Sequence, residues 1–106
     1  MAKRKSNKRA KQMLENLILG GKKLYWIGEM SEIYVGDSLD AIVAHFHLES
    51  EAYDPVYGAA FGRVNPWSLA RDEYREGEWR VCTLISLCVD AGEMLADPYQ
   101  LTSCEC

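Results

Sequence analysis

The side chains best suited to metal binding in this sequence belong to four cysteines and two histidines. They are Cys82, Cys88, Cys104, Cys106, His45 and His47. Zn²⁺ accepts thiolate and imidazole ligands tetrahedrally, and it usually takes cysteines in pairs separated by about two to four residues. Here the cysteine pairs are separated by five residues and by one, and the histidines, two positions apart, do not share a helical face. The sequence therefore predicts no metal site, and it contains no cofactor motif.

Nucleophilic catalysis is the second chemistry open to a cysteine, and it needs a thiol whose pKa is lowered by a cation or a helix N-terminus. Cys82 precedes Thr83, where we predict a helix to begin. No catalytic signature surrounds Cys82, and the acidic residues of this part of the chain oppose thiolate formation. We therefore predict a non-enzymatic protein, with an enzyme that uses a cysteine nucleophile as a minor alternative.

Aromatic and arginine side chains are interleaved through the middle of the chain. Tyr, Trp and Arg contribute much of the binding energy at protein–protein interfaces. These rings either fill the core beneath a long connection or form a binding loop over residues 53–79. Under the second interpretation, the partner-binding residues are Tyr53, Tyr57, Arg63, Trp67, Arg71, Asp72, Glu73, Tyr74, Arg75 and Trp79.

The formal charge of −4 is divided between two parts of opposite sign. Residues 1–23 contain eight basic residues and one acid, a net charge of +7, whereas residues 24–106 contain fifteen acids and four arginines, a net charge of −11. We therefore predict a basic N-terminal arm over residues 1–23 and an acidic domain over residues 24–106.

The basic arm has two interpretations. It binds phosphate groups or an acidic protein surface, or it is a solubilising flank that lies partly against its own acidic domain. The nucleic-acid candidates are Lys3, Arg4, Lys5, Lys8, Arg9 and Lys11. The acidic domain likewise either imitates nucleic acid in a basic groove of a partner or only keeps the protein in solution.

Length and targeting signals indicate a small cytoplasmic protein. A chain of 106 residues has room for one hydrophobic core. The basic start is not followed by a signal-peptide apolar run, and the apolar stretch 81–89 is too short to span a bilayer. We expect reduced thiols, a cytoplasmic location and no membrane partner.

Residues 6–19 predict an amphipathic helix that begins at Ser6 or Asn7 and ends at Gly20-Gly21. The spacing i, i+3, i+4, i+7, i+8 places five apolar side chains on one face. They are Ala10, Met13, Leu14, Leu17 and Ile18. This face offers a route to a homodimer through Met13, Leu14, Leu17 and Ile18.

Two strands and a helix are predicted next. Residues 24–28 and 33–35 form strands joined by a hairpin connection at 29–32, and Asp37-Ser38 caps a helix. The inner face of this helix is Leu39, Ile42, Val43 and Phe46. Residues 56–64 form a third strand, in which Gly58 and Gly62 indicate a bulge or a weak point.

The C-terminal half is less regular. Residues 67–78 are ambiguous, because Trp67, Ala70 and Tyr74 suit a helical turn while Glu76-Gly77 indicates a turn. A short strand over 79–82 precedes a helix from residue 84 to about residue 94, and residues 99–103 form a closing strand. The sum is an α+β fold, an N-terminal helix followed by ββα-β-(β)-αβ, with a mostly antiparallel sheet packed by about two helices.

Four segments carry a resemblance: Leu24–Glu29, Ile33–Asp40, Thr83–Leu87 and Pro98–Ser103. Together they resemble small accessory proteins of bacterial phages and plasmids, including anti-CRISPR-like proteins, over residues 24–103. The resemblance implies an inhibitor that binds and blocks a host protein or ribonucleoprotein complex, and it assigns no site residues. The alternative function is a nucleic-acid-binding accessory protein that uses the basic arm.

Overall fold

A computed structural model describes residues 2–54 and 58–102 of the chain. The helices are α1 (Ala2–Leu19), α2 (Leu39–Phe46), α3 (Glu49–Ala52) and α4 (Leu84–Ala91), and a 3₁₀ turn (Gly92–Ala96) follows α4. The strands are β1 (Lys23–Ile27), β2 (Glu29–Gly36), β3 (Tyr53–Asp54), β4 (Gly58–Ala59), β5 (Phe61–Val64), β6 (Leu69–Arg75), β7 (Glu78–Thr83) and β8 (Tyr99–Thr102). The predicted α+β fold is confirmed.

The centre of the fold is an antiparallel four-stranded sheet in the order β5-β1-β2-β8. Leu24 pairs with Val35 and Tyr25 pairs with Tyr34, so the members of each pair lie on the same face and the two pairs lie on opposite faces. The Leu24 face packs against α4 and the end of α1, and the other face packs against α2. The sheet therefore lies between two helical layers.

The larger core lies on the α4 side. Leu24, Val35, Leu84 and Cys88 are almost completely buried there. Burial of a large aliphatic side chain stabilises a fold by about 1.5–3 kcal/mol, so this cluster contributes much of the stability. Leu19, the last residue of α1, belongs to the same core. The last turn of α1 is therefore part of the folded body, although it lies within the basic arm.

The smaller core lies beneath α2. Ile27, Tyr34 and Ile42 are buried there, and the Tyr34 and Phe46 rings meet at 5.2 Å between centroids. Ser38 caps α2 as predicted, because its hydroxyl accepts a hydrogen bond from the Ala41 N–H at 3.1 Å. The helix ends at Phe46 and is capped by His47, which has a left-handed conformation with φ of 57°.

The first hairpin turns earlier than the sequence predicts. Ile27 pairs with Glu29, and Gly28 between them has φ of 82°. The predicted connection at residues 29–32 is therefore wrong, because these residues belong to β2, beyond a shift of register between Trp26 and Ile27. Glycine has no Cβ and adopts this φ without steric cost, so the turn occurs at Gly28.

Residues 69–75 form a strand, so the helical turn considered for residues 67–78 is wrong. β6 pairs with β7 in a separate two-stranded sheet, and Gly77 at its turn has φ of 77°. The predicted third strand is divided into β4 and β5 by Ala60, and residues 56 and 57 lie outside the described residues. β7 forms cross-strand hydrogen bonds with β6, and these bonds outweigh the local helical preference of β6.

α1 turns its predicted apolar face away from the body. The helix begins at Ala2, so the predicted caps Ser6 and Asn7 lie within it. Leu17 is 82 % exposed and Met13 is exposed as well, whereas Ile18 packs against the larger core. The apolar pattern thus predicts the helix correctly but does not show which face the body covers.

Candidate partner-binding surface

The base of the β6–β7 hairpin is attached to the start of α4. β7 runs directly into α4, and the Thr83 side chain accepts a hydrogen bond from the Ser86 N–H at 3.4 Å. The Leu84 N–H donates to the Ser68 carbonyl at 2.9 Å, and the Ile85 N–H donates to the Pro66 carbonyl at 2.7 Å. N–H groups that the first turn of a helix leaves without intrahelical partners are therefore bonded to the segment that enters β6.

One face of the hairpin lies towards the body. Ala70 pairs with Cys82, and both pack against the larger core. Further along the same face, the Arg80 guanidinium forms an ion pair with Asp90 of α4 at 3.0 Å. The side chains of Arg80 and Asp90 are largely exposed, so this pair contributes little stability, but it ties the hairpin to α4.

The opposite face of the hairpin is exposed to solvent. We call Leu69, Arg71, Trp79 and Val81 the outer hairpin face, because the β6–β7 register places them on the side away from Ala70. Leu69 is 72 % exposed, Val81 is 67 % exposed and Trp79 is 46 % exposed. The Arg71 guanidinium lies 5.3 Å from the Trp79 ring centroid, a cation–π contact worth about 0.5–1 kcal/mol at an exposed site.

The hairpin brings six of the ten predicted partner-binding residues onto two adjacent strands. The side chains of Arg71, Arg75 and Trp79 are exposed on β6 and β7. Asp72, Glu73 and Tyr74 have their backbone in β6, and their side chains lie outside the described part of the structure. The structure thus places these six residues on one hairpin, a conformation that composition alone did not indicate.

The other four predicted residues lie elsewhere. Tyr53 is exposed on β3, and Tyr57 lies outside the described residues. Arg63, on β5, lies 5.4 Å from the ring centroid of Tyr25. The Trp67 ring is half-buried beside α1, so it is an internal contact between α1 and the base of the hairpin.

Trp67 contacts two side chains of α1. The indole N–H donates a hydrogen bond to the Glu15 carboxylate, and the Lys11 ammonium lies 5.4 Å from the ring centroid. Lys11, Glu15 and Leu19 follow one another at intervals of four residues, so they share one face of α1. This face is the one turned towards the body.

Leu69 and Val81 belong to the outer hairpin face, and sequence reasoning did not include them among the candidate residues. β6 does not alternate strictly between apolar and charged residues. Two and four positions after the apolar Leu69, where a strict alternation would place apolar residues, the chain has the charged residues Arg71 and Glu73. A period of two indicates a strand, and it would have placed Leu69 and Arg71 on one face. It would not have shown that α4 covers the other face.

The nucleic-acid candidates lie on α1. Lys8, Arg9 and Lys11 have exposed side chains. Lys3, Arg4 and Lys5 have their backbone in α1, and their side chains lie outside the described part. Basic residues therefore occupy the first part of a helix whose last turn is packed into the body.

Of the groups considered for catalysis or metal binding, the structure describes the side chains of Cys82, Cys88, His45 and His47. Cys88 lies in the larger core, and burial raises the pKa of its thiol to about 11, so at neutral pH it is a protonated packing group. Cys82 is half-buried on the inner face of the hairpin, in β7, and Cys104 and Cys106 lie outside the described residues. Within residues 2–54 and 58–102, no three His, Cys, Asp or Glu side chains are placed to hold a metal ion.

Comparison with protein families, with curated proteins and with solved structures yields no match to this chain. None of the described helices is long and apolar enough to cross a membrane. The functional proposal therefore depends on the surfaces of this molecule.

Proposed function

We propose that this chain is a non-enzymatic protein-binding module and that the outer hairpin face makes the contact. The observation that carries the proposal is the joint exposure of Leu69, Val81 and Trp79 on one face of a hairpin whose other face is packed. Contiguous exposed apolar side chains in a small protein mark interaction sites. Trp79 with Arg71 stacked on it supplies the two residue types most enriched among energetically dominant interface residues.

The hairpin is suited to binding because its base is already ordered. An interface gains affinity when the binding element does not have to be ordered on contact. The hydrogen bonds from Leu84 and Ile85 to residues 66–68, together with the Arg80–Asp90 pair, hold the base against α4 before any partner arrives. The turn at Glu76-Gly77 is the part of the hairpin farthest along the strands from this base.

The proposed partner is a host protein or ribonucleoprotein complex that the chain blocks. The net charge of −11 over residues 24–106 favours a partner with a basic surface around an apolar or aromatic groove. Such a partner is consistent with the inhibitor implied by the resemblance to phage and plasmid accessory proteins. A hairpin seated in the groove would exclude the partner's own acidic or nucleic-acid ligand.

A pull-down with matched variants tests this proposal. The tagged chain is incubated with bacterial lysate, with and without nuclease treatment, and the bound proteins are identified by mass spectrometry. Val81→Asp places a charge in the outer hairpin face. The control Met30→Asp introduces the same charge at a residue that is 76 % exposed on β2, in the four-stranded sheet. We expect one partner to be retained in stoichiometric amount by the wild type and Met30→Asp and lost by Val81→Asp.

Circular dichroism and thermal unfolding of both variants show whether the fold is retained. If Val81→Asp is folded and still captures the same partner as the wild type, the outer hairpin face is not the contact. If the captured proteins disappear with nuclease treatment, the chain binds through nucleic acid and the protein-binding proposal is wrong.

The exposed basic residues of α1 favour one alternative, a nucleic-acid-binding accessory protein. Lys8 and Arg9 are available for phosphate contacts. Binding of this kind weakens steeply with salt, because each neutralised phosphate releases counterions. Fluorescence anisotropy with a labelled DNA duplex would then show a steep salt dependence that becomes shallower in Lys8→Glu/Arg9→Glu, whereas Val81→Asp would bind normally.

A further inference from the structure

The outward side of α1 carries an apolar stripe that the body does not cover. Ala10, Met13, Leu14 and Leu17 are spaced i, i+3, i+4 and i+7, and we call them the outer α1 stripe. Leu17 is 82 % exposed and Met13 is 71 % exposed, and Leu14 is exposed as well. This spacing is that of a helix that packs along one side against another helix or in a groove.

The orientation of the stripe is fixed by contacts on the opposite side of the helix. Leu19 is buried in the larger core, and Glu15 and Lys11 contact Trp67. Turning the stripe inward would break all three contacts. The contacts also lie in the second half of α1, so the helix is attached to the body at its C-terminal end.

The division of charge favours one way of pairing two such helices. In a parallel pair, the six basic residues at positions 3–11 of one chain would lie beside the same six of the other and repel them. In an antiparallel pair, the basic first half of each α1 lies beside the C-terminal end of the other helix, where the other acidic body begins. Asp37, whose side chain is 79 % exposed and lies 3.9 Å from Lys22, is one acid at that end.

We propose that the outer α1 stripe binds a second copy of this chain, with the two α1 helices antiparallel about a two-fold axis. A two-fold contact uses the same surface twice, and the stripe supplies an identical apolar row to each side. The six basic residues of positions 3–11 of each α1 then lie beside residues 12–23 of the other arm, whose net charge is only +1, and close to the start of the other acidic body. This proposal uses a different surface from the outer hairpin face and does not depend on the proposed function.

The stripe is short for a stable interface. Specific interfaces bury at least about 1,000 Å² in total, more than three large apolar side chains from each copy supply. Contacts between the basic arm and the other acidic body must therefore contribute, and exposed charge contacts are screened by salt. The dimer is expected to weaken as the salt concentration rises, unlike an apolar contact alone.

Sedimentation velocity over a range of chain concentrations, at low and high salt, tests the proposal. We expect the wild type to be dimeric at low salt and to dissociate at least about tenfold more readily at high salt. Leu17→Gln is expected to be monomeric, and the matched control Met30→Gln, at a similarly exposed apolar residue outside α1, is expected to remain dimeric. Circular dichroism of each variant establishes that α1 is retained.

Charge reversal distinguishes the two directions of pairing. Lys8→Glu/Arg9→Glu should weaken an antiparallel dimer, because two new acids then face the other acidic body. The same change would strengthen a parallel dimer by removing repulsion between the arms. A stronger dimer in this variant, or a wild-type dimer that strengthens with salt, would overturn the antiparallel arrangement.

Three further outcomes would overturn the proposal. The wild type could be monomeric at every concentration, or Leu17→Gln could remain dimeric. A monomer that binds vesicles of phosphatidylcholine and phosphatidylglycerol through Leu17 would instead show a lipid surface as the occupant of the stripe. Val81→Asp should leave the dimer intact, because Val81 lies outside the outer α1 stripe. The experiments therefore distinguish failure of the hairpin proposal from failure of the dimer proposal.

Discussion

At the scale of single residues, Gly62 lies directly against the indole of Trp26, which packs against the larger core. They pair across β1 and β5, and a Cβ added at Gly62 would lie 2.9 Å from Cε2 of the Trp26 indole and closer still to its Nε1. The indole therefore covers the space that any side chain at Gly62 would need. Glycine is required here by the close approach of a neighbouring ring and not by an unusual backbone conformation.

Gly62→Ala is expected to lower the free energy of unfolding by about 1–3 kcal/mol, because the indole must move out of a packed position. Chemical denaturation measures the change. A double-mutant cycle with Trp26→Leu is the control, since the branched side chain leaves room beside the new methyl group. A cost that is unchanged in the Trp26→Leu background would contradict the steric explanation.

Cys88 provides a residue-scale test by pH. Burial raises the pKa of its thiol from 9.0 to about 11, so the folded state keeps its proton where the unfolded chain loses it. The stabilising contribution is fully present below pH 9 and is lost as the pH rises towards 11. We expect the free energy of unfolding to fall across this range and iodoacetamide to modify Cys88 in the folded protein only slowly.

The control for this prediction is Cys88→Ala. Burial, followed by the charges of Glu32 and Glu51, also raises the pKa of Tyr34, so part of the decline at high pH belongs to that residue. The difference between wild type and Cys88→Ala isolates the thiol. The prediction is wrong if the two proteins lose stability in parallel between pH 9 and pH 11.

At the scale of elements, the β6–β7 hairpin depends on its turn. An isolated two-stranded hairpin has marginal stability, and this one is packed on one face only. Gly77 has φ of 77°, a conformation that glycine adopts without strain and most other residues do not. The turn is therefore the place where a small change should loosen the hairpin while the four-stranded sheet stays intact.

Gly77→Ala is expected to destabilise the hairpin by about 1 kcal/mol. Hydrogen exchange should show faster exchange in β6 and β7 with little change in β1 and β2. Gly77→Asn is the matched control, because asparagine tolerates a positive φ better than alanine does. Equal exchange in the two variants, or loss of protection in the central sheet, would show that the turn does not limit hairpin stability.

At the scale of the whole molecule, Trp67 joins the basic arm to the acidic body. Its indole N–H donates to Glu15 of α1, while its backbone lies just before β6. One side chain thus links α1, which carries the outer α1 stripe, to the base of the hairpin. The boundary that we predict at residue 23 follows the charge, whereas these contacts show that the arm and the body pack together.

Trp67→Phe retains a ring for Lys11 but removes the hydrogen bond to Glu15. Loss of a bond to a charged acceptor is expected to cost about 1–2 kcal/mol, seen as faster amide exchange in α1. Glu15→Gln is the control, since its side-chain carbonyl still accepts from the indole. Retention of full α1 protection in Trp67→Phe would mean that packing of Leu19 alone holds the helix.

Capping and turn signals account for the elements that the sequence predicts well. Ser38 and Thr83 begin helices, and Gly20 ends α1 through a hydrogen bond from its N–H to the Asn16 carbonyl at 2.9 Å. Each of these interactions joins residues that are at most four positions apart. Such contacts depend on local sequence and are therefore visible in it.

Residues 67–78 are predicted poorly because their conformation depends on a partner strand. The period of two in β6 is incomplete, so it does not decide between a helical turn and a strand, and β7 decides it by supplying hydrogen bonds along the strand. The candidate site has the same dependence. Arg71 and Trp79 are suggested by their residue types, while Leu69 and Val81 become site residues only because α4 and the core occupy the other face of the hairpin.

By itself, the sequence determined the α+β class, the approximate positions of α1, α2 and α4 with the caps Ser38 and Thr83 and the stop at Gly20, and the division of charge at residue 23. Only the tertiary structure decided which faces are covered. The apolar stripe of α1 is turned outward because Leu19, Glu15 and Lys11 bind the body, and the outer hairpin face is exposed because Ala70 and Cys82 pack inward. Periodicity shows that a face is apolar, but its burial depends on where distant segments place their own surfaces.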